Sequence, residues 1–142
     1  MFTVGSIFIP VNNLEESIEW YQKVLNIHLL DRWESEEEKG AGFCFHKGDI
    51  QLGLIEVKLS DSTEFNVDDH QKNSYYNFKV RDIEAAYQHL MNQDVKVTKI
   101  ENFGGMKFFD FFDLHGHSFS VVEEVAGSPF HSDHIKRIQS TL

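Results

Sequence analysis

Apolar and polar residues alternate from the start of the chain. Ile7, Ile9 and Val11 fall on one side of an extended segment, and Ser6, Phe8 and Pro10 on the other, which is the pattern of a strand with two unlike faces. The period then changes. Leu14, Ile18, Tyr21 and Leu25 recur at spacings of four, three and four, so they share one stripe of a helix. Glu15, Glu19, Gln22 and Lys23 take most of the other side. Asn12 or Asn13 can accept from the free amides at the helix start, and Glu15 and Glu16 suit the positive end of its dipole. The spacing predicts a strand that turns tightly into an amphipathic helix lying back on it.

The pattern repeats. Tyr76, Phe78 and Val80 alternate with Tyr75, Asn77 and Lys79; Asp82 is the expected N-cap, and Ile83, Ala86, Tyr87 and Leu90 form the helical stripe. A shift of 69 residues carries Val11 to Val80, Leu14 to Ile83, Glu15 to Glu84 and Tyr21 to Leu90. Such self-similarity dictates architecture. In the first half, strands are expected at residues 27–33, 43–46 and 50–57, with an acidic loop at 34–40 and a turn at Lys47-Gly48-Asp49. Residues 58–72 are polar and aperiodic, as in an exposed linker. In the second half a helix over 82–93 precedes strands at 95–101, 106–113 and 117–124, separated by turns at 102–105 and 114–116. Beyond 125 the tail offers a further short helix, with Ser132 or Asp133 as cap.

Ile7, Ile9, Val11, Leu52 and Leu54, and in the second half Tyr76, Phe78, Val80, Phe119 and Val121, are apolar enough to cover the helices. The opposite faces carry Ser6, Phe8, Gln51, Gly53, Ile55, Tyr75, Asn77, Ser118 and Ser120. A face that mixes small, polar and aromatic residues without being simply charged suggests a curved sheet around a wettable pocket. In KFFDFFD, Phe109 and Phe111 share one face with Asp113, while Phe108, Asp110 and Phe112 share the other. One set packs under a helix and the other is available to a ligand.

Length and composition narrow this picture. The 142 residues suit one domain built from two half-size modules, large enough to need no metal or disulfide for stability. A single cysteine, Cys44, cannot bridge within the chain, which suits a reducing, cytoplasmic compartment. No run resembles a signal or membrane-spanning segment. The formal charge of −10 disfavours nucleic acid and anionic membrane surfaces. It permits a neutral or cationic small molecule.

Three segments together resemble the vicinal oxygen chelate superfamily, which holds glyoxalase I, extradiol dioxygenases and bleomycin-resistance proteins. They are VNNLEESIEWYQKVL at 11–25, its echo VRDIEAAYQHL at 80–90, and FFDLHGHSFSVVEE at 111–124. The last is similar to the family's F-x-D-P-x-G-x-x-x-E ending, with Leu114 in place of the usual proline and Ser120 in place of the glutamate. The resemblance covers about residues 4–124. It implies an α+β fold of two βαβββ modules, 4–57 and 74–124, forming a curled mixed sheet around an open cleft with helices on the convex side and residues 125–142 as a tail. It also implies a homodimer.

Family members of the metal type place a His or Glu at each of four inward strand positions. Carried over, these fall on Ser6, Gly53, Tyr75 and Ser120, none of which suits a hard divalent ion. Glu56 and Glu123 stand beside these positions but alternate to the helix side. No metal or other cofactor is therefore expected. His115 and His117 form a turn pair read as solvent-facing, His131 and His134 belong to the tail, and His46 ends a strand from which it could reach the cleft. Cys44 between Phe43 and Phe45 reads as an inert buried thiol.

No catalytic residue emerges, and the expected ligand-binding set is Phe8, Trp33, Phe43, Gln51, Gly53, Tyr75, Asn77, Phe111 and Ser120. Rings would stack on a planar apolar ligand while Gln51, Asn77 and Ser120 orient it. The expected function is that of a metal-free binder of a small cationic or aromatic molecule, similar to the bleomycin-resistance branch. The alternatives are a glyoxalase-like lyase or dioxygenase with a displaced metal, and a sensory or protein-interaction module.

Overall fold

The computed structural model describes residues 1–59 and 61–142. By contact the chain divides into two units, Met1–Ser62 with Leu114–Gly116, and Thr63–Asp113 with His117–Leu142. The first contains β1 (Ser6–Val11), α1 (Leu14–Leu25), β2 (His28–Glu34), β3 (Lys39–Cys44) and β4 (Gln51–Glu56). Its four strands are ordered β1-β4-β3-β2, with β1 parallel to β4 and the other pairs antiparallel.

Asn13 caps α1, its side chain accepting from the Glu16 amide at 3.1 Å. A second acceptor comes from the sheet: the Glu56 carboxylate takes the Leu14 amide at 2.9 Å. The helix ends at Asn26, whose left-handed φ of 53° closes the last turn. Its carbonyl lies 2.7 Å from His46 Nε2, so His46 serves the helix end. Leu14, Ser17, Ile18, Tyr21 and Val24 are the buried face. They pack on Ile9, Val11, Ala41, Phe43, Leu52 and Leu54, all fully buried.

The second unit opens with a hairpin, β5 (Glu64–Asn66) and β6 (Lys72–Ser74), where a linker is expected from the sequence. Side-chain bonds hold it: Thr63 Oγ1 donates to the Ser118 carbonyl at 2.8 Å, and Ser118 Oγ donates to Glu64 at 3.0 Å. Ser60, within the same expected linker, lies outside the described residues. There follow β7 (Asn77–Val80), α2 (Ile83–Asn92), β8 (Glu101–Phe103), β9 (Met106–Phe112), β10 (Ser118–Glu123) and α3 (Ser132–Gln139).

The sheet order β7-β10-β9-β8 reproduces that of the first unit. The capping is reproduced as well. Asp82 accepts from the Ala85 amide at 3.1 Å, and Glu123 from the Ile83 amide at 2.9 Å. The strand expected at 95–101 is displaced: a single bridge joins Val97 to Phe111, and the regular strand, β8, begins only at Glu101 and runs into the expected turn. Helix α3 is capped by His131 rather than Ser132 or Asp133. Under α2, Phe78, Phe111 and Phe119 pack with ring centroids 5.4–5.9 Å apart, and Tyr87 meets Phe109 edge-on at 5.1 Å.

One architectural expectation is overturned. The βαβββ order is present in each unit, but the strands form two open four-stranded sheets, ending at β1 and β2 in one and at β7 and β8 in the other. Neither curls or closes around a cleft. Closure requires strands that continue the ladder past those edges, and four strands pinned on one face by a single helix end as a twisted open sheet. Among the described residues no helix is long and apolar enough to cross a membrane.

Candidate ligand-binding faces

Each sheet has one face under its helix and one without a helix. On the helix-free face of the first sheet, pairing aligns Phe8, Gly53 and Gly42 in one row, and Pro10, Ile55, Gly40 and Trp33 in the next. The aromatic rings lie over glycine backbone. A Cβ built at Gly53 would run into the Phe8 ring, one at Gly40 into the Trp33 indole, and one at Gly42 would sit 3.8 Å from Trp33 Cζ3. The indole is fixed at its polar edge by donation from Nε1 to Glu38 at 2.7 Å. Phe8 remains 50% exposed, so its ring shields glycine on one side and faces outward on the other. Gln51 is exposed in the neighbouring row, between Ser6 and Cys44.

The helix-free face of the second sheet is built from Asn77, Ser120 and Asp110, aligned across three strands. Ser120 Oγ donates to Asp110 Oδ1 at 2.7 Å. Phe108 and Phe112, two residues either side of Asp110, flank it on the same face. Tyr75 is 60% exposed and packs against Phe65 at 5.0 Å.

The expected binding set therefore divides. Phe8, Trp33, Gln51 and Gly53 share the first helix-free face, and Asn77 and Ser120 share the second. Phe43 and Phe111 do not belong with them. Both are buried beneath helices, because Phe43 pairs with Leu52 and Phe111 with Phe119 on the helix side. Asp110, Phe108 and Phe112 occupy the face instead. The alternation of KFFDFFD contains this information, but only the position of α2 decides between two aromatic faces.

The DLHGH turn also differs from expectation. His117 is 5% exposed and Asp113 6%. His117 Nδ1 lies 2.8 Å from Asp113 Oδ2, and the His117 amide donates to Oδ1 at 2.9 Å. Gly116, with φ of 84°, permits the reversal that brings them together. His115 lies within the first unit, 3.2 Å from Ser17 Oγ.

The positions at which the resemblance implies a metal do not fit one. Ser6 offers a hydroxyl, Gly53 no side chain, and Tyr75 an exposed phenol, while the Ser120 hydroxyl donates to Asp110. The nearby carboxylates, Glu56 and Glu123, accept from helix amides on the other side of the sheets. Among the described residues no group of three or more His, Cys, Asp or Glu side chains is arranged to hold an ion.

A sequence model of the Glyoxalase/Bleomycin resistance protein/Dioxygenase superfamily matches residues 3–121. The chain belongs to that superfamily. Solved structures agree on the fold. A superfamily member from Sphaerobacter thermophilus superposes with a TM-score of 0.71 at 22% identity, over 87% of this chain and 98% of that one. TnmS3, an antibiotic binding protein from Streptomyces sp., gives 0.72 at 15% identity over 88% and 98%. The glyoxalase family protein of Enterococcus faecalis gives 0.70 at 18% identity over 85% and 97%. No curated protein sequence matches significantly.

Proposed function

We propose that this protein binds a small organic molecule on a helix-free sheet face, without a metal ion. The observation that carries the reading is the seating of Phe8 over Gly53 and of Trp33 over Gly40. Rings seated over glycine backbone cover the sheet on one side and leave the other available, as at half-exposed Phe8. A planar apolar ligand stacking on rings already held in place costs little further ordering. The donor chemistry at the family's ligand positions supports recognition rather than ion binding. The antibiotic binding named for the structurally similar Streptomyces protein is in keeping with this. Homodimerisation, implied by the resemblance, and a cytoplasmic location, suggested by the lone cysteine, belong to the same proposal.

The test is a thermal-shift screen of planar aromatic compounds, run in EDTA and again with added Ni, Zn, Fe or Mn. A binder is stabilised by ligand to the same extent in both. Stabilisation that requires the metal, or turnover of a hemithioacetal or catechol once metal is supplied, would replace this reading with an enzymatic one.

A further inference from the structure

We infer that Asp110 is the anchor for a positively charged group, an ammonium, amidinium or guanidinium, on a ligand held at the helix-free face of the second sheet; this rests on the small-molecule reading above. Asp110 sits mid-strand in β9 and is half-buried. Its Oδ1 accepts from Ser120 at 2.7 Å, which holds the carboxylate in one orientation. None of the ion pairs among the described residues includes Asp110.

A half-buried carboxylate oriented by a hydroxyl and included in none of those ion pairs is a charged acceptor that a cationic ligand can complete with a charge-assisted hydrogen bond. The flanking rings suit the same partner, because the faces of Phe108 and Phe112 attract cations. One cation already occupies such a position: Lys96 Nζ lies 5.0 Å from the centroid of the Phe112 ring. This ammonium touches the aromatic part of the site without reaching the carboxylate, so a ligand that engages both would displace it. The chain's formal charge of −10 adds long-range attraction for such a ligand.

The test compares proflavine, a planar aromatic cation, with phenazine, a neutral ring of similar shape, by fluorescence and calorimetric titration. Wild type is expected to favour proflavine. Asp110→Asn, which preserves shape and the acceptor for Ser120, should weaken proflavine at least tenfold and leave phenazine within about twofold. Lys96→Ala, at an exposed position, should tighten proflavine by removing the competing ammonium, and it does not depend on Asp110→Asn folding well. Proflavine affinity that ignores Asp110→Asn, or loosens with Lys96→Ala, overturns the proposal. Equal binding of both probes by wild type also overturns it while leaving the small-molecule reading in place. Binding of neither removes both.

Discussion

A few close residue pairs make predictions at the level of single side chains. Phe8 and Gly53 are one such pair, paired across β1 and β4 with the ring occupying the space a Cβ would need. Gly53→Ala is therefore expected to cost about 1–3 kcal/mol through overpacking. The double variant Phe8→Ala/Gly53→Ala should recover part of that in urea denaturation, since contacting residues couple. Strictly additive costs would show that ring and glycine do not constrain each other. The buried Asp113–His117 pair makes a second prediction. His117→Ala leaves the Asp113 carboxylate without its 2.8 Å partner and should lower stability by about 1.5–3 kcal/mol, the range for a hydrogen bond to a charged group. A loss below about 0.5 kcal/mol would place the pair in solvent.

Elements are where the repeat becomes physical. Helices α1 and α2 each start one residue after an Asn or Asp cap and take a second acceptor from a glutamate on the last strand of the module. Asp82→Ala should cost about 1 kcal/mol. Glu123→Ala should cost about 1.5–3 kcal/mol, because it strips a charged acceptor from a part-buried amide. The reverse order in urea midpoints would contradict this division of labour.

The tail helix has a different attachment. Glu124 accepts from the Ser132 amide and hydroxyl and pairs with Lys79 at 3.1 Å. The Ser132 bonds, then the Lys79 ammonium, hold its pKa down from 4.5 to about 2. Since the folded value is the lower one, the attachment of α3 is complete above pH 4.5 and lost as pH falls through about 2. The Ser132 amide shift should titrate near 2; a midpoint near 4.5 would show that the bonds are not formed in solution.

The strand–helix starts, the Asp82 cap, Asn13 as one of two candidate caps and the helix-side placement of Glu56 and Glu123 were legible in the sequence because each depends only on local period and cap chemistry. The β5–β6 hairpin was not, since it is held by hydroxyls of Thr63 and Ser118 rather than by an apolar stripe. The face occupied by Phe111 was undecidable from KFFDFFD alone, where both faces are aromatic. The burial of His117 depends on a turn at Gly116, and sheet openness on strand edges, so neither has a signature in hydrophobic period.

At the scale of the whole molecule, two βαβββ units each keep a helix on one face of an open sheet and leave the other face uncovered by a helix. The first uncovered face carries rings on glycine, and the second a hydrogen-bonded row centred on Asp110. Superfamily membership accounts for the strand order. It does not assign a reaction, and the residues at the implied metal positions bring no donor set for an ion. Trp33→Phe in a Trp20→Phe background removes both indoles, so a fluorescence change on ligand addition that persists in Trp20→Phe and vanishes in the double variant would place the ligand near Trp33.

The most direct measurement is an amide chemical-shift map of the protein in EDTA, titrated with the compound that gives the largest thermal shift. The account predicts perturbations concentrated on a helix-free face, at Phe8, Gly40, Gly42 and Gly53 in the first unit or at Asn77, Asp110 and Ser120 in the second. Perturbations confined to the outer face of α1 or to α3, or none until a divalent metal is added, would contradict it.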